Sequence, residues 1–290
     1  MSIDALQAKI RKTEKMLMVD FTFDLEQLPP DEEEKSLCDR YRDYCLRLLN
    51  GLKGKIPAVR FSLLQFTLLG EGGIEALSQL LNKASGLGFY TLLDVYGVAS
   101  APLAKFTASR IWGEKSKLPC DGLLISGYFG TELIRPFLPY CEENKKDLFL
   151  LVRSVNKSAS EIQDLLAGSR MVHMAAADYI NRFAMTTVGK YGYSQIAVAA
   201  SATMGDSIKM LRASYQRLFI LVDGMDVSGA NAKNASQGFS GLGYGAICCV
   251  GSSVTCAWQQ EEFAEMDAVE AAVSAVEKAQ KKINRYVSVH

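Results

Sequence analysis

The sequence has only two histidines, and none of its seven cysteines stands in a CxxC pair. Structural zinc sites are built mostly from clustered cysteine and histidine, and disulfide frameworks belong to small secreted chains. Neither class fits a chain of 290 residues with this composition. We predict reduced, mostly buried thiols and no metal site.

Net charge is also lacking, because Lys plus Arg and Asp plus Glu each total 32 and the pI is about 6.7. Neither nucleic acid nor an anionic membrane is therefore predicted as a partner, and any phosphate site must be local. No apolar stretch reaches the length of a membrane span, and charged residues recur through Lys15 where a signal peptide would be uncharged. We expect a soluble, cytoplasmic protein.

What the sequence does contain is a regular alternation of eight apolar runs of strand length, each followed by a helix-like segment. The predicted strands are Met16 to Phe23, Ala58 to Leu64, Phe89 to Val95, Gly122 to Ser126, Leu148 to Ser154, Gln195 to Ala200, Leu218 to Val222 and Ala246 to Val250. The predicted helices are Glu34 to Leu52, Gly73 to Ala84, Leu103 to Trp112, Glu132 to Glu143, Ser160 to Leu166, Asp206 to Tyr215, Ala230 to Gln237 and Glu261 to Tyr286, with an extra helix between Ser169 and Lys190.

This alternation indicates parallel strands joined by crossover helices, and near-continuous apolar strands indicate burial on both faces. A closed barrel and a doubly wound sheet both satisfy these conditions, but eight units favour the barrel. No GxGxxG follows the first strand, and Gly70-Glu-Gly-Gly73 comes too late to serve as a dinucleotide fingerprint. We predict an α/β fold, a TIM (β/α)8 barrel forming a single domain over 1–290, with an N-terminal helix at about 1–15 and a long C-terminal helix at about 261–286.

The active site of such a barrel is built at the carboxyl ends of the strands. Asp94 ends the third predicted strand, and Arg60 and Arg153 lie in the second and fifth. Each has a structural alternative to a functional role. A buried Arg60–Asp94 ion pair would explain both residues, and Arg153 would either satisfy Asp94 or another carboxylate or bind a ligand.

Short phrases at these strand ends resemble type II orotidine 5'-phosphate decarboxylases in their order and spacing, from about Leu17 to Trp258. The phrases are Asp24-Leu-Glu-Gln-Leu-Pro29, Leu69-Gly-Glu-Gly-Gly-Ile-Glu-Ala-Leu77, Leu93-Asp94, Gly127-Tyr-Phe-Gly130, Pro136-Phe-Leu-Pro-Tyr140, Leu151-Val-Arg-Ser154, Tyr191-Gly-Tyr-Ser194 and Gly243-Tyr-Gly-Ala-Ile247. The resemblance implies cofactor-free conversion of orotidine monophosphate to uridine monophosphate and CO2, a step of pyrimidine biosynthesis, in a homodimer whose sites lie near the subunit interface.

The family's catalytic array departs from its pattern in this chain. The family's Asp-x-Lys-x-x-Asp reads here Asp94-Val-Tyr96-Gly-Val-Ala99. Only the first carboxylate remains. Tyr96 replaces the lysine that would stabilise the carbanion, and a neutral phenol supplies no positive charge. Ala99 stands where the partner subunit would contribute its carboxylate, so pairing with a second copy does not restore that group.

Other substrate contacts implied by the resemblance are partly kept. Arg60 replaces the lysine of the second strand and keeps its charge, but an arginine is a poor proton shuttle. The aspartate that would meet the ribose aligns with Thr22, with Asp20 as the neighbouring alternative. The residues that match the family where it holds the base and its covering loop are Arg153, Ser154 and Asn156.

The implied phosphate contacts are altered more severely. The family's Gln-Gly-Gly reads Ser228-Gly229-Ala230, and its Asn-Ser-Ser-Arg reads Gly251-Ser252-Ser253-Val254. The second change deletes a guanidinium that would bind phosphate through two hydrogen bonds. Backbone N–H groups around Gly229 and Ser253 would bind an anion weakly, and two nearby aspartates, Asp223 and Asp226, would repel it.

Three functional hypotheses follow. The first is a catalytically degenerate decarboxylase-like barrel that binds a nucleotide, a small phosphorylated or carboxylated ligand, or a protein partner. The second is an enzyme, either an active decarboxylase or a related barrel lyase, with Asp94 and Arg60 as its catalytic residues. The third is a structural subunit that pairs with an active paralogue.

Overall fold

The computed structural model describes residues 1–30 and 35–289. Eight parallel strands close into a barrel in the order β1-β8-β7-β6-β5-β4-β3-β2, which confirms the predicted (β/α)8 architecture. The strands are β1 Leu17–Asp20, β2 Ala58–Ser62, β3 Tyr90–Asp94, β4 Gly122–Ser126, β5 Asp147–Arg153, β6 Ile196–Ser201, β7 Ile220–Asp223 and β8 Ala246–Val250. Nearly all their residues are buried, because the barrel interior covers one face and helices cover the other.

Helices follow the strands as the periodicity predicts. They are α1 Ile3–Thr13, α2 Leu37–Leu52, α3 Leu63–Leu68, α4 Gly73–Gly86, α5 Ala101–Ile111, α6 Leu138–Asn144, α7 Ser160–Gln163, α8 Val172–Ala184, α9 Gly205–Ser214, α10 Ala232–Ser236, α11 Ser252–Thr255 and α12 Ala268–Asn284. The sequence-based start of the second helix at Glu34 lies outside the described residues. Short α3 was missed, because the second predicted strand was extended to Leu64.

Two predicted helices begin well after their predicted starts, for identifiable reasons. The continuous helix from Glu261 is a short 3-10 turn, Glu261–Phe263, followed by α12. Asp267 starts α12 as its N-cap, since its side chain accepts from the N–H of Val269 at 2.9 Å. The segment from Glu132 is broken into 3-10 turns before α6, where two prolines lack the N–H that a helix needs.

The segment after β5 contains structure that the sequence did not predict. A two-stranded antiparallel hairpin pairs Leu166–Ala167 with Arg170–Met171, between α7 and α8, so the helix predicted from Ser160 to Leu166 ends at Gln163. The hairpin lies on the side of the barrel where the strands end, because it belongs to the connection that leaves the carboxyl end of β5. This connection therefore forms a compact rim at the barrel mouth.

Helix α1 closes the opposite end of the barrel. Lys9 Nζ donates to the carbonyl of Gly88 at 2.6 Å, and Gln7 Oε1 accepts from the N–H of Gly245 at 2.8 Å. Gly88 lies two residues before β3, and Gly245 lies one residue before β8. The predicted N-terminal helix is thus a lid over the amino ends of the strands, and open access is left to the carboxyl ends.

Across residues 1–30 and 35–289, none of the helices combines the length and apolarity that crossing a membrane requires.

Candidate active site

Arg60 is the central charged group of the barrel mouth. Its guanidinium pairs with the carboxylate of Asp20 at 2.5 Å and with that of Asp223 at 3.0 Å. Burial alone would lower the pKa of Arg60, but the two carboxylates outweigh burial and raise that pKa above its usual value. The guanidinium is permanently charged, cannot move a proton at neutral pH, and already has two counterions.

The expected Arg60–Asp94 ion pair is wrong, and strand register explains why. Asp20 of β1 lies directly opposite Arg60, whereas Asp94 of β3 lies opposite Ser62, two residues farther toward the mouth. A side chain two positions along a parallel strand is displaced by roughly 6.6 Å. Within the described residues, Arg60 therefore pairs with Asp20 and Asp223 instead.

Asp94 is a carboxylate with one oxygen engaged. Its Oδ1 accepts from the backbone N–H of Tyr96 at 3.1 Å. Burial raises the pKa of Asp94 to about 7, a rise that nearby Arg60 reduces and that the carboxylates Asp20 and Asp223 add to. Asp94 is therefore able to hold or release a proton near neutral pH, which is the range that general acid–base chemistry needs.

Tyr96 and Ala99 lie in the loop between β3 and α5; Ala99 is exposed, whereas Tyr96 exposes 37% of its surface and otherwise packs along the wall of the mouth. Burial, together with the negative charge of Asp223, raises the pKa of Tyr96 well above its ordinary value. The phenol therefore stays neutral at physiological pH. Neither position supplies a positive charge next to Asp94.

Arg153 ends β5 and is almost fully buried. Its Nε and Nη2 donate to the two carboxylate oxygens of Asp164, at 2.9 and 3.0 Å. This fork-like pair fixes the segment that follows β5. Ser154 reinforces it, because its N–H donates to the side chain of Gln163 at 2.8 Å. Arg153 thus satisfies a carboxylate, as one alternative held, but that carboxylate is Asp164 and not Asp94.

His173 lies at the start of α8 against the same segment. It is fully buried, and its Nδ1 bonds to the carbonyl of Gln163 at 2.8 Å. The ring also lies 3.4 Å from Asp164 Oδ1. His173 therefore helps to hold the β5 connection in place.

The structure brings Asp20 and not Thr22 to the barrel interior. Asp20 is the last residue of β1 and is buried beside Arg60, whereas Thr22 is exposed and its N–H donates to Asp20 Oδ1 at 3.0 Å. Asn156, Ser228 and Ser252 are also exposed. These four predicted contact residues consequently lie at or outside the rim.

Asp226 accepts hydrogen bonds from backbone N–H groups that were expected to bind an anion. Its Oδ2 accepts from the N–H of Gly251 at 2.8 Å and from the N–H of Ser253 at 3.2 Å. Gly229, three residues farther on, is exposed and has a φ of 91°, a conformation that favours glycine. The carboxylate that was predicted to repel an anion instead takes the place of one.

A cavity of about 250 Å³ opens beside Asp94. It lies between α3, the loop after β3, and α5, and most of its lining is apolar. Among the residues that the structure describes, no group of three or more His, Cys, Asp or Glu side chains is arranged to hold a metal ion. The mouth thus combines a buried ion triad, one partly engaged carboxylate and an apolar recess.

Sequence reasoning missed Asp164 as the partner of Arg153 and Asp226 as the occupant of the backbone donors. Both residues come from connections, and their pairing depends on how each connection folds back. The only signal was charge. Asp164 lies eleven residues after Arg153, and Asp226 lies three residues after the end of β7, so each is a carboxylate in a connection that leaves the mouth end of a strand.

Similarity to known proteins extends over almost the whole chain. It is 24% identical to the orotidine 5'-phosphate decarboxylase of Caldicellulosiruptor saccharolyticus, with 98% of each chain covered, and 23% identical to that of Rhodopirellula baltica, with 89% of each covered. The solved structure of Leishmania donovani OMP decarboxylase superposes with a TM-score of 0.75 at 21% identity, covering 99% of both chains. No protein-family model matches the chain.

Proposed function

Because the chain belongs by sequence and fold to the orotidine 5'-phosphate decarboxylase family, we propose that it is a degenerate member that has lost decarboxylation and retains a binding role. The observation that carries this proposal is the ion triad of Arg60 with Asp20 and Asp223. It neutralises the central cation of the mouth, and Tyr96 adds none where the family has its lysine.

Decarboxylation of a substrate carboxylate leaves an electron pair on carbon, and an enzyme accelerates it by placing positive charge where that pair develops. Electrostatic stabilisation of this kind is usually the largest contribution to catalysis. In this mouth, Arg60 already faces two carboxylates, and Asp94 adds a third negative group when it is ionised. The net field opposes the carbanion and the carboxylate that precedes it.

Loss of the phosphate contacts supports the same proposal. Asp226 accepts from the two backbone N–H groups of Gly251 and Ser253 that would face a phosphate. An incoming phosphate would have to displace this carboxylate and would then meet its repulsion. Binding energy from the remote phosphate normally contributes to catalysis at the reacting centre, so its loss lowers turnover as well as affinity.

The test is turnover of orotidine monophosphate together with calorimetric titration of uridine monophosphate, using one purified preparation. The relative from Caldicellulosiruptor saccharolyticus, assayed in the same buffer, serves as the positive control. We expect neither turnover nor binding in this protein. Robust decarboxylation would overturn the proposal, and tight binding of uridine monophosphate without turnover would overturn the loss of phosphate recognition.

A second candidate is a barrel lyase with a rebuilt site, and one observation favours it. Asp94 has a pKa of about 7 and lines an apolar cavity, as expected for a general acid or base. In that case, Asp94→Asn would abolish a detected activity while leaving the fold intact. Activity that survived this substitution would exclude Asp94 from the chemistry.

We also propose that the chain forms a homodimer through the face formed by α3 and α5. Leu64, Leu68 and Phe106 are exposed there, next to the cavity beside Asp94. Exposed apolar side chains grouped at a functional cleft are typical of an interaction surface. Sedimentation of the purified protein should give a dimer, and Leu68→Glu should give a monomer; a wild-type monomer would refute this assembly. Co-purification of a second decarboxylase chain from the native source would favour pairing with a paralogue.

A further inference from the structure

The cavity beside Asp94 has a lining unlike that of a nucleotide phosphate site. Asp94 is the one charged residue that lines it. The remaining walls are apolar side chains and hydroxyl groups. The apolar wall consists of Leu63, Leu64, Val95, Val98 and Leu103, and the hydroxyls come from Ser62, Thr67, Tyr96 and Thr107. A ligand that fits this recess has an apolar body and a polar group that complements a carboxylate.

Asp94 has a carboxylate oxygen that can accept a hydrogen bond from such a group. One oxygen accepts from the Tyr96 N–H, and the second oxygen has no hydrogen-bond partner in the described parts of the chain. A carboxylate oxygen in a largely apolar recess gains from a donor, and most from a charged donor. The aromatic ring of Tyr96 lines the same recess and offers a face that attracts cations.

The charges around Asp94 select the sign of the ligand. The neighbouring groups are Asp20, Asp223 and Arg60, and the two aspartates already neutralise and outnumber the guanidinium. Ionised Asp94 therefore has no free counterion among the described residues around it. An anionic ligand would add to the excess of negative charge, whereas a cationic ligand would relieve it.

We propose that this cavity binds an apolar primary amine as its ammonium ion, with Asp94 as the counterion and the leucine and valine side chains around the hydrocarbon body. The inference rests on the proposed function, since it names the ligand class of a barrel that no longer needs to attract a nucleotide. It leaves the question of turnover separate.

Proton linkage supports the proposal. The groups that face Asp94 are Arg60, Asp20, Asp223 and Tyr96, and burial with the two carboxylates holds the pKa of Asp94 near 7. A bound cation favours the ionised form and lowers that pKa. Amine binding therefore releases a proton from Asp94 and strengthens as pH rises through about 7, up to the pH at which the amine itself deprotonates.

The test uses three probes of similar shape, observed by NMR through the backbone signals of residues 94–98. They are phenethylammonium, the neutral 2-phenylethanol and the anionic 3-phenylpropanoate. We expect phenethylammonium to bind at least about tenfold more tightly than 2-phenylethanol, a factor typical of a charged hydrogen bond, and 3-phenylpropanoate to bind most weakly. Equal affinities, or a preference for the anion, would overturn the proposal.

Two variants separate a specific site from general attraction. Asp94→Asn should reduce the affinity for phenethylammonium about tenfold or more and leave that for 2-phenylethanol within about twofold. Asp206→Asn removes an equal charge from an exposed position on α9, outside the cavity, and should change neither. If both variants weaken amine binding equally, the effect is non-specific and the site is refuted.

A failure of this inference is distinguishable from a failure of the proposed function. Turnover of orotidine monophosphate with no amine preference would refute both the degenerate barrel and its ligand class. Absence of turnover with no amine preference would refute the ligand class alone. Leu103→Trp places a large ring at the cavity rim, so this variant should bind none of the three probes. Unchanged binding would show that the probes bind elsewhere.

Discussion

The two ends of this barrel both bury carboxylates, but they satisfy them in different ways. At the closed end, Asp147 accepts from the hydroxyl of Tyr90 at 2.8 Å, and Asp121 accepts from the N–H of Thr91 at 2.9 Å. At the mouth, Asp20 and Asp223 share the guanidinium of one arginine. At the closed end Asp121 also pairs with the N-terminal ammonium of Met1, so that end combines neutral donors with a chain terminus, whereas an arginine side chain within the strands stabilises the mouth.

The difference indicates which residues are structural. At the closed end, Asp121 is paired with the ammonium of Met1 and the N–H of Thr91, and Asp147 accepts from the hydroxyl of Tyr90. At the mouth, the ion triad accounts for Arg60, Asp20 and Asp223, yet Asp94 remains only partly engaged beside a cavity. A polar group that stability does not explain, in a recess that a ligand can reach, is the strongest candidate for function.

The largest effect is expected from breaking the ion triad. Arg60→Met leaves Asp20 and Asp223 buried without their counterion, and we expect a loss of about 3–5 kcal/mol in the free energy of unfolding at neutral pH. Urea denaturation measures it.

The matched control is Arg42→Met. Arg42 also pairs with two aspartates, Asp39 and Asp43, but on the surface of α2. Surface ion pairs contribute roughly 0–1 kcal/mol, so this variant should differ little from the wild type. If Arg60→Met cost no more than Arg42→Met, the triad would not be the element that stabilises the mouth.

A second effect concerns the pH dependence of stability at the mouth. The pKa of Asp94 is raised in the folded protein, so folding favours its protonated form. The contribution of this carboxyl group to the free energy of unfolding is fully present below the unfolded pKa of about 4 and is lost as pH rises through about 7. Asn cannot ionise. Asp94→Asn should therefore gain stability relative to the wild type between about pH 4 and 7, by up to about 4 kcal/mol, and the difference should be constant at higher pH.

Urea midpoints at several pH values across that window measure this gain. Asp206→Asn, an exposed change on α9, should run parallel to the wild type throughout. Parallel curves for Asp94→Asn as well would mean that folding does not raise the pKa of Asp94, and the case for an incompletely satisfied carboxylate at the mouth would weaken.

The sequence predicted some of the residues behind these predictions correctly and others incorrectly. The alternation of apolar runs predicted the barrel because a buried parallel strand and its crossover helix have distinct periods, and β4 and β8 have the predicted bounds. Asp94 was placed correctly at the end of β3 for the same reason. These are local properties of the chain, and they survive folding.

The side chains that pair at the mouth lie far apart in the sequence, and their partners were predicted poorly. The register between β1 and β2 sets Asp20 opposite Arg60, and no feature of either segment specifies that alignment. Asp164 and Asp226 reach their partners only because the connections after β5 and β7 fold back over the mouth. A sequence shows which charges exist near a strand end, but the three-dimensional path of the loops decides which of them meet.

A smaller effect is expected at the closed end. Tyr90→Phe removes the hydroxyl that donates to Asp147 and leaves a buried carboxyl oxygen without that donor, at a cost of about 1–3 kcal/mol. Tyr286→Phe, at an exposed position, should cost almost nothing. Phenethylammonium binding at the mouth should be unchanged by Tyr90→Phe; weaker binding would show that the two ends are energetically coupled.

The smallest effect on stability is expected from Asp226→Ala, which frees the N–H groups of Gly251 and Ser253. Both lie at the accessible mouth, so water replaces the carboxylate and the loss should be about 1 kcal/mol or less. The informative result is the response to anions. Inorganic phosphate should raise the melting temperature of Asp226→Ala more than that of the wild type, with sodium chloride at equal ionic strength as the control. Equal responses would mean that Asp226 does not compete with phosphate, and the altered phosphate contacts would then rest on the missing arginine and on Ser228 in place of the family's glutamine.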